Sequence, residues 1–483
     1  MTDERQERLE QLRNLRENNE AYSYNFDRSH TVEELQEFDQ GEDSIPDRSF
    51  STAGRVMEIR SFGELVFIDM RGEKSEIQII VREDEDLLNQ VEEFYRGDII
   101  GAKGHLTYTD KGEFSLQAEE IEVLSRGVRH IPSEHFGVED QELKYRDRAL
   151  HLISDMDARD DLRKRSQIVS AIRNFLEGRD FMEVETPVIQ AVYGGTRATP
   201  FQTYVEDLDQ EQYLRIAKEL YLKRLVIGGY ERIFEIGKDF RNESIDTTHN
   251  PEFTMMELYQ AYADYEDIME LTENLYEHVA IQVTGSPQIE YSGQEIDLSA
   301  PWERLTMREA ILEYAGLDVE QMTDQEIREE LQDHNTELES GYERGLAIAE
   351  LFEELVEDHL IQPVHITDHP EETTPLCMQH RDKEGRIERF ESFSAGMELC
   401  NAYTELRDPI RQRNLFEKEQ RRQDEGDDEA HPIDMDFVEA LELGMPPTGG
   451  LGIGIGRMVM LLTDNQSIRD VTLFPMMKQN QQG

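Results

Sequence analysis

The sequence predicts an α+β protein with two parts, a small N-terminal β-barrel and a larger domain on a mainly antiparallel sheet. From residue 51 to about residue 125, short β-branched or alternating runs are separated by turns, a pattern typical of a barrel. Beyond this region, helical stretches and apolar strands come in groups and not in strict alternation. That grouping favours an antiparallel sheet over a doubly wound parallel one.

The runs GRVMEIRSFGELVFIDM, EIQIIV, DIIGAKGHLTYT and EFSLQAEEIEVL predict the strands of the barrel, and a short helix around 84–94 follows the third strand. This is the order of an OB-fold, a barrel that often binds oligonucleotides. Spacing alone equally favours a barrel without a ligand. We divide the chain into a helical extension (1–49), the barrel (50–128), a linker (129–150) and the second domain (151–483).

The charge balance is strongly acidic along the whole chain. It contains 50 basic and 106 acidic residues, for a net charge of −56, yet 37% of residues are hydrophobic, which argues against a disordered chain. Such a density of carboxylates indicates a high-salt cytoplasm that screens self-repulsion. Cys377 and Cys400 are too few for a disulfide framework or a zinc site. We find no membrane-length apolar run and no signal peptide, so we expect a cytoplasmic protein.

The segment 240–259, FRNESIDTTHNPEFTMMELY, combines a cation, an aromatic ring and several carboxylates. Arg241 and Glu243 would share one face of a strand, where a surface ion pair is the simplest interpretation. A turn-rich loop then lets a second strand return beside the first, with His249 and Phe253 near its start. Arginine offers paired donors to a phosphate, and the phenylalanine ring offers a face to a base. The segment therefore predicts a nucleotide site.

The segment 449–462, GGLGIGIGRMVMLL, alternates glycine with apolar residues before Arg457 opens a helix. A glycine-rich strand lets a ligand lie against the backbone. A lone Gly-x-Gly pattern also occurs in dinucleotide folds, but the strand–helix–strand context of those folds is missing here. The segment predicts a second wall of the nucleotide site.

A third segment, 388–406, carries Glu391, Glu398 and Glu405 at intervals of seven residues. On a helix this spacing would form one solvated acidic face, the more common meaning in so acidic a chain. FESF and SAGMEL read instead as strands on either side of a turn at 394–396. Carboxylates on the two strands would then converge, and carboxylate oxygens suit Mg²⁺.

Together these segments resemble the signature motifs of class II aminoacyl-tRNA synthetases. Residues 240–259 resemble motif 2 and residues 449–462 resemble motif 3. Residues 175–190 resemble motif 1, whose Pro187 would lie at a dimer interface, although Asp180 replaces the usual glycine. Runs such as HNPEFTMMELY and SIRDVTLFP are closest to those of the lysyl-tRNA synthetases, and the resemblance covers nearly the whole chain.

The resemblance implies an enzyme that uses ATP to attach L-lysine to tRNA(Lys) through a lysyl-adenylate, releasing AMP and pyrophosphate. It further implies Mg²⁺ as cofactor, a homodimer and, with the charge, a halophilic archaeal source. It assigns catalysis to Arg241 and Arg457, with Arg457 on the γ-phosphate. Gly456 stands where the family commonly carries an acidic residue, a departure that leaves the phosphate contact in place.

The implied contacts fall into three groups. ATP binding is assigned to Arg241, Glu243, His249, Phe253, Glu391, Asn401 and Arg457. Lysine binding is assigned to Gly195, Glu219, Glu257, Tyr259, Asn401 and Glu405. Metal binding is assigned to Glu391 and Glu398. A pocket for a lysine ammonium needs fixed carboxylates, because an unpaired desolvated ammonium is costly.

In the barrel, the resemblance assigns anticodon contacts to Arg60, Phe67, Gln78 and Glu113. An aromatic ring can stack on an unpaired base, and arginine and glutamine can read base edges. Without the resemblance, Phe67 would be interpreted as an inward barrel residue. A tRNA is a polyanion that this acidic chain should repel, but high salt would shorten that repulsion to a few ångströms.

Two rivals remain open at this stage, and a third possibility is disfavoured by the predicted barrel. An enzyme of the same class could act on aspartate or asparagine, although such a pocket would need basic or amide groups where this chain offers carboxylates. The chain could also be an RNA-binding protein with an inactive catalytic domain, which is disfavoured by the intact set of Arg241, Glu243, Glu398 and Arg457. A relative that lysylates proteins would be expected to lack the barrel.

Overall fold

A computed structural model describes residues 3–17, 21–42, 45–132, 141–334, 336, 342–424 and 432–478. The chain divides into two compact units, Met1–Asp160 and Asp161–Gly483. The middle of the predicted linker, residues 133–140, lies outside the described residues, as do parts of the predicted extension. Within the described ranges no helix is both long enough and apolar enough to cross a membrane.

The first unit contains a closed five-stranded barrel. Its strands are β1 (Phe50–Ser61), β2 (Leu65–Arg71), β3 (Glu76–Arg82), β4 (Ile99–Tyr108) and β5 (Phe114–Ser125). Its helices are α1 (Asp3–Glu17), α2 (Val32–Gln36), α3 (Glu85–Val91), α4 (Gln141–Arg146) and α5 (Arg148–Ser154). The strands follow the order β1-β2-β3-β5-β4, and β1 pairs with β4 to close the barrel. This order, with α3 after the third strand, confirms the predicted OB-fold.

The barrel is held together by inward β-branched and aliphatic side chains. Ile68, Ile79 and Ile100 are fully buried in one cluster with residues of all five strands. Alternate residues of each strand point the other way. The outer face of β1, β2 and β3 is therefore available for side chains that contact a partner.

The second unit is built on a large sheet. Its strands are β6 (Met182–Glu183), β7 (Ile189–Gln190), β8 (Gln202–Val205), β9 (Gln210–Leu214), β10 (Arg232–Phe240), β11 (Glu252–Ala261), β12 (Gln288–Tyr291), β13 (Gln294–Asp297), β14 (Glu303–Thr306), β15 (Val364–Thr367), β16 (Arg389–Ser394), β17 (Met397–Thr404) and β18 (Thr448–Gly454). Its helices are α6 (Met156–Glu177, which begins in the first unit), α7 (Glu219–Ile227), α8 (Tyr265–Thr284), α9 (Met307–Ala315), α10 (Asp324–Asp333), α11 (Arg344–Leu355), α12 (Pro409–Asp424), α13 (Met435–Leu441) and α14 (Ile455–Thr463).

The large sheet has eight strands in the order β14-β15-β16-β17-β18-β11-β10-β6. Its neighbours run antiparallel, except for the parallel pairs β14–β15 and β6–β10 at the two edges. The predicted mainly antiparallel α+β domain is thus confirmed. β7, β9 and β8 form a separate small sheet, and β12 and β13 form a hairpin.

The two faces of this sheet have different chemistry. Met256 and Leu258 of β11 are fully buried in a core with residues of α6, α8 and α14. The residues between and after them, Glu257 and Tyr259, point to the opposite face because side chains alternate along a strand. That opposite face carries the candidate site.

Two local predictions were wrong or incomplete in detail. Arg241 and Glu243 do not lie on a strand, because β10 ends at Phe240, although both flank the same cavity. The helix containing Arg457 begins two residues earlier than predicted, at Ile455. The prediction of strands on either side of a turn at 394–396 is confirmed, since β16 and β17 form an antiparallel pair.

Candidate active site

The floor of the candidate site is formed by three neighbouring strands. Glu257 of β11 pairs with Gly452 of β18, and Gly452 pairs with Asn401 of β17. Tyr259, Gly450 and Tyr403 form the next row in the same register. Each row therefore places a polar or aromatic side chain on either side of a glycine, and the glycines leave space above the middle strand.

The first cavity has a volume of about 380 Å³. It is lined by Gly195, Thr196, Arg197, Ala217, Glu219, Arg241, Met255, Glu257, Tyr259, Glu353, Thr373, Thr374, Pro375, Leu376, Arg389, Asn401, Tyr403, Glu405, Gly450, Leu451 and Gly452. All six residues assigned to lysine binding are among them. A Cβ on Gly450 would collide with Glu405, so the glycine is required for the carboxylate to lie where it does.

Position 195 also requires a glycine. Its φ is +99°, in the left-handed region that other residues rarely adopt, and a Cβ there would lie only 3.0 Å from Cβ of Ala217. The backbone of Gly195 therefore passes close to α7 and brings its peptide groups to the cavity wall.

Three buried carboxylates, those of Glu219, Glu257 and Glu405, line this cavity. The backbone N–H of Lys218 donates to Oε1 of Glu257 at 3.1 Å, and the hydroxyl of Tyr259 is 3.3 Å from Oε2. The hydroxyl of Tyr403 donates to Oε1 of Glu219 at 2.5 Å. The carboxylates of Glu257 and Glu219 are thus each held by a neighbouring donor.

A lysine of the chain itself lies beside two of these carboxylates. Nζ of the fully buried Lys223 is 2.6 Å from Oε1 of Glu219 and 2.5 Å from Oε2 of Glu405. Burial raises the pKa of both carboxyl groups, and Lys223 opposes that rise. The carboxylates in turn keep the pKa of Lys223 above its usual value despite burial.

The second cavity, of about 230 Å³, lies next to the first. It is lined by Arg241, Glu243, Ser244, Thr248, His249, Asn250, Pro251, Phe253, Thr254, Met255, Glu398, Leu399, Cys400, Gly452, Gly454, Gly456, Arg457 and Ile468. Five of the seven residues assigned to ATP binding are present, and Glu391 and Asn401 are not. Arg241, Met255 and Gly452 line both cavities. The guanidinium of Arg241 lies 5.1 Å from the ring centre of Phe253.

An arginine and a histidine meet at the far wall of the second cavity. Nη1 of Arg457 donates to Oε2 of Glu398 at 3.0 Å, and Nη2 lies 3.4 Å from Nε2 of His249. Asp246 holds the other side of the imidazole, 2.9 Å from Nδ1. Although burial acts in the opposite direction, hydrogen bonds from His249 and from backbone N–H groups lower the pKa of Asp246 to about 2. His249 is thereby oriented with Nε2 towards Arg457.

Glu391 and Asn401 face each other across β16 and β17, on the side of the first cavity. Arg389 connects them: it pairs with Glu391, and its Nε donates to the amide oxygen of Asn401 at 3.1 Å. Burial raises the pKa of Glu391 to about 7, and the nearby Glu398 adds to that rise while Arg389 opposes it.

The two carboxylates assigned to the metal fit Mg²⁺ as a partner of a phosphate ligand. Within the described part of the chain, no group of three or more His, Cys, Asp or Glu side chains has the geometry of a metal cage. Mg²⁺ is commonly held by one or two carboxylates together with substrate phosphates, and Glu398 lies on the second cavity. Burial is the main cause of the raised pKa of Glu391, and Glu398 and Glu353 add negative charge that a cation would relieve.

In the first unit, three of the assigned anticodon residues share the outer face of the barrel. Arg60 pairs across strands with Phe67, and Gln78 pairs with Ser115. Gln78 is buried and accepts a hydrogen bond from the Ser115 hydroxyl at 3.1 Å, and that hydroxyl also contacts the backbone carbonyl of Glu113. The structure therefore brings the four residues into one neighbourhood.

Sequence reasoning missed three side chains at or directly behind the first cavity. Lys223 lies four residues after Glu219, and therefore one helical turn further along the same face of α7. Tyr403 lies between Asn401 and Glu405 at a spacing of two, and Arg389 lies two residues before Glu391. Strand alternation would have placed both on the side of the candidate site.

Gly456 lies on the first turn of α14, and the side chain of Ile468 occupies the space that a side chain at position 456 would need. A Cβ at this position would collide with Cδ1 of Ile468. Ile468 itself lines the second cavity. An acidic residue at 456 would therefore require Ile468 to move, while Arg457 keeps its contacts with Glu398.

Comparisons with known proteins agree with this geometry. Residues 140–478 match the family model described as tRNA synthetases class II (D, K and N), and residues 50–124 match the OB-fold nucleic acid binding domain. A lysine–tRNA ligase of Methanoculleus marisnigri is 46% identical, covering 98% of this chain and 94% of its own. One of Saccharolobus solfataricus is 47% identical, covering 97% and 96%. One of Clostridium novyi is 44% identical, covering 98% and 94%.

Proposed function

Because the chain belongs to the class II lysyl-tRNA synthetases, we propose that it attaches L-lysine to tRNA(Lys) in two steps. Lysine and ATP first give lysyl-adenylate and pyrophosphate. The terminal ribose of the tRNA then takes the lysyl group and AMP leaves. The two adjacent cavities would hold lysine and ATP, respectively.

The observation that carries this proposal is the charge of the first cavity. Glu219, Glu257 and Glu405 place three buried carboxyl groups around this cavity, and Lys223 pairs with two of them from behind. These carboxyl groups offer partners for the α- and ε-ammonium groups of lysine. A buried ammonium needs a fixed carboxylate partner, and Arg241 at the junction of the cavities suits the substrate carboxylate.

The proposed chemistry needs positioning more than proton transfer. The lysine carboxylate is already ionised and attacks the α-phosphorus without a general base. Arg241 lines both cavities, so it can contact the attacking carboxylate and the phosphate together. Phe253 offers its ring to the adenine, and Glu243 offers an acceptor to the exocyclic amine. Arg457 and His249 would hold the outer phosphates.

Glu398 and Glu391 would hold Mg²⁺. When bound, Mg²⁺ neutralises charge on the ATP phosphates and orients pyrophosphate as a leaving group. Before it binds, Glu398 is occupied by Arg457 at 3.0 Å. Arg457 would leave Glu398 for phosphate when ATP binds, and Glu398 would then be available to hold the metal.

The barrel is the proposed anticodon reader. Phe67 and Arg60 lie side by side on the outer face of β1 and β2. Arg60 is bound by Asp69 through two hydrogen bonds, at 2.5 and 2.8 Å, which orient its guanidinium. Stacking and base-edge contacts of this kind depend less on salt than phosphate contacts do. They suit a chain with a net charge of −56 in a high-salt cytoplasm.

Homodimerisation through the motif 1 segment is part of the same proposal. Met182 and Ile189 of this segment are 42% and 49% exposed, large apolar side chains that a partner would cover. A specificity for aspartate or asparagine is the main rival, and the three carboxylates of the first cavity disfavour it.

Aminoacylation tests the proposal directly. The purified protein, in high potassium chloride with ATP and Mg²⁺, is expected to charge tRNA(Lys) with labelled lysine. Substituting Phe67→Ala should slow charging of tRNA while lysine-dependent ATP–pyrophosphate exchange continues at the wild-type rate. Charging with aspartate or asparagine instead of lysine, or no charging at all, would overturn the assignment of lysine as the substrate. Normal charging by the Phe67 variant would remove Phe67 from the anticodon site.

A further inference from the structure

The buried lysine behind the first cavity takes no direct part in the chemical steps described above. Lys223 does not line the cavity, its side chain has no exposed surface, and its ammonium lies between Glu219 and Glu405. A fully buried ammonium is costly unless it is well paired. Its presence directly behind two carboxylates of the site therefore calls for an explanation.

The position of this ammonium is fixed from several sides. Lys223 and Glu219 lie one turn apart on α7, whereas Glu405 follows the end of β17. Nζ also lies 5.6 Å from the ring centre of Tyr403 and 5.7 Å from that of Phe437, within the range of cation–π attraction. Lys223 thus joins a helix and a strand that contribute separate walls of the cavity.

Lys223 uses only one oxygen of each carboxylate. It pairs with Oε1 of Glu219, and the other oxygen, Oε2, lies 3.6 Å from where a Cβ on Gly195 would be. It pairs with Oε2 of Glu405, and the other oxygen, Oε1, lies directly against Gly450. Gly195 and Gly450 both line the cavity. The free oxygen of each carboxylate therefore lies on the side of the cavity.

We propose that Lys223 is a positioning residue for the amino-acid site: it anchors one oxygen of Glu219 and one of Glu405, and so directs their other oxygens to the ammonium of the substrate. This inference rests on the proposed function, because it assumes that the first cavity takes lysine. It adds a residue that never touches the substrate but sets the number and direction of the charges that do.

The electrostatics of Glu219 and Glu405 also support a positioning role for Lys223. Burial raises the pKa of Glu219 and of Glu405, and Lys223 acts against that rise for both. A neutral residue at 223 would leave two buried carboxylates facing Glu257 without an internal cation. The pKa of both carboxyl groups would then rise further, and a neutral carboxyl group cannot form an ion pair with substrate.

The test is lysine-dependent ATP–pyrophosphate exchange in high potassium chloride with Lys223→Met, which keeps the chain length and removes the charge. We expect KM for lysine to rise at least about tenfold and KM for ATP to stay within about twofold of wild type. Lys238→Met is the matched control, because Lys238 pairs with Glu252 at 3.1 Å but is 42% exposed. The control should leave both constants unchanged.

Several results would overturn the inference. One is a folded Lys223→Met variant with normal KM for lysine; another is an equal rise in both constants, which indicates a general structural role. If Lys223→Met does not fold, the double variant with Glu405→Gln removes the ammonium together with one partner. We expect the double variant to fold and to show a higher KM for lysine than Glu405→Gln alone, because Glu219 also loses its anchor. Equal values, or a double variant that does not fold, would contradict the proposal.

The same assay separates this inference from the function on which it rests. Wild-type protein that shows no lysine-dependent exchange would refute the proposed function before any variant is compared. Wild-type protein that shows exchange, together with a normal Lys223→Met variant, would refute only the role of Lys223.

Discussion

The two cavities lie side by side on one sheet and both are lined by charges of either sign, but their charged groups differ in burial. The first is dominated by the carboxylates of Glu219, Glu257 and Glu405, which are almost completely buried. The second presents Arg241, Arg457 and His249, and its arginine and histidine at the far wall remain partly exposed. Under the proposed function, the first cavity would set which amino acid is used, and the second would supply chemistry that any ATP-activating relative needs.

Arg241 belongs to both cavities, so removing it should have the largest effect. We predict that Arg241→Ala lowers the rate of lysine-dependent ATP–pyrophosphate exchange by roughly 10²–10³, because stabilisation of charge on the phosphate is lost. Arg308→Ala is the control, since Arg308 pairs with Glu320 at the surface of α9 at 2.8 Å. An exchange rate near wild type in the Arg241 variant would remove the proposed link between the cavities.

A change confined to the first cavity should affect lysine and spare ATP. We predict that Glu257→Gln raises KM for lysine by roughly 10- to 100-fold, because a buried ion pair with the substrate is lost. KM for ATP should change by less than about twofold. Glu252→Gln, on the same strand but 46% exposed, is the control. Unaltered use of lysine by the Glu257 variant would refute the assignment of this pocket.

A change confined to the second cavity should affect ATP and spare lysine. Phe253→Ala is predicted to raise KM for ATP roughly tenfold, since stacking on a base contributes about 1–3 kcal/mol. Phe253→Tyr keeps the aromatic face and should stay close to wild type. Steady-state exchange at varied ATP and fixed, saturating lysine measures the effect. A larger effect on lysine than on ATP would show that the cavities are wrongly assigned.

The smallest expected effect is on how the free energy of unfolding depends on pH. Burial, with the nearby Glu353, Glu391 and Glu398, raises the pKa of Glu357 to about 8 from an ordinary value of 4.5. Between these values the folded protein keeps a proton that the unfolded chain has released, so Glu357 lowers stability as pH rises through this window.

The variant Glu357→Gln should therefore gain stability relative to wild type as pH increases from 5 to 8. We expect the difference in unfolding free energy to grow by no more than about 1 kcal/mol, because the group is partly solvated. Denaturant unfolding at fixed salt and several pH values measures it. A difference that is constant with pH would show that the carboxyl group titrates normally.

Alternation along strands explains why much of the fold and site followed from sequence. The pattern in GGLGIGI predicted the strand that became β18, and FESF and SAGMEL predicted the β16–β17 pair. The roles of individual residues came from resemblance and not from periodicity, since Glu391 and Glu405 alone would have read as a solvated acidic face.

What the sequence could not provide were pairings across long separations. Lys223 and Glu405 are far apart in the chain, and only the packing of α7 beside the end of β17 joins them. The end of β10 at Phe240 was also missed, because the register with β11 and not local propensity decides where pairing stops. Gln78 was assigned to a contact surface, yet its burial depends on neighbouring strands.

The most direct test of the central claim is ATP–pyrophosphate exchange with each amino acid in turn, in high potassium chloride. If the first cavity is a site for a doubly positive amino acid, lysine alone should support rapid exchange, and norleucine, which has the same length without the ammonium, should not. Exchange with aspartate or asparagine, equal exchange with norleucine, or no exchange with lysine would contradict the account.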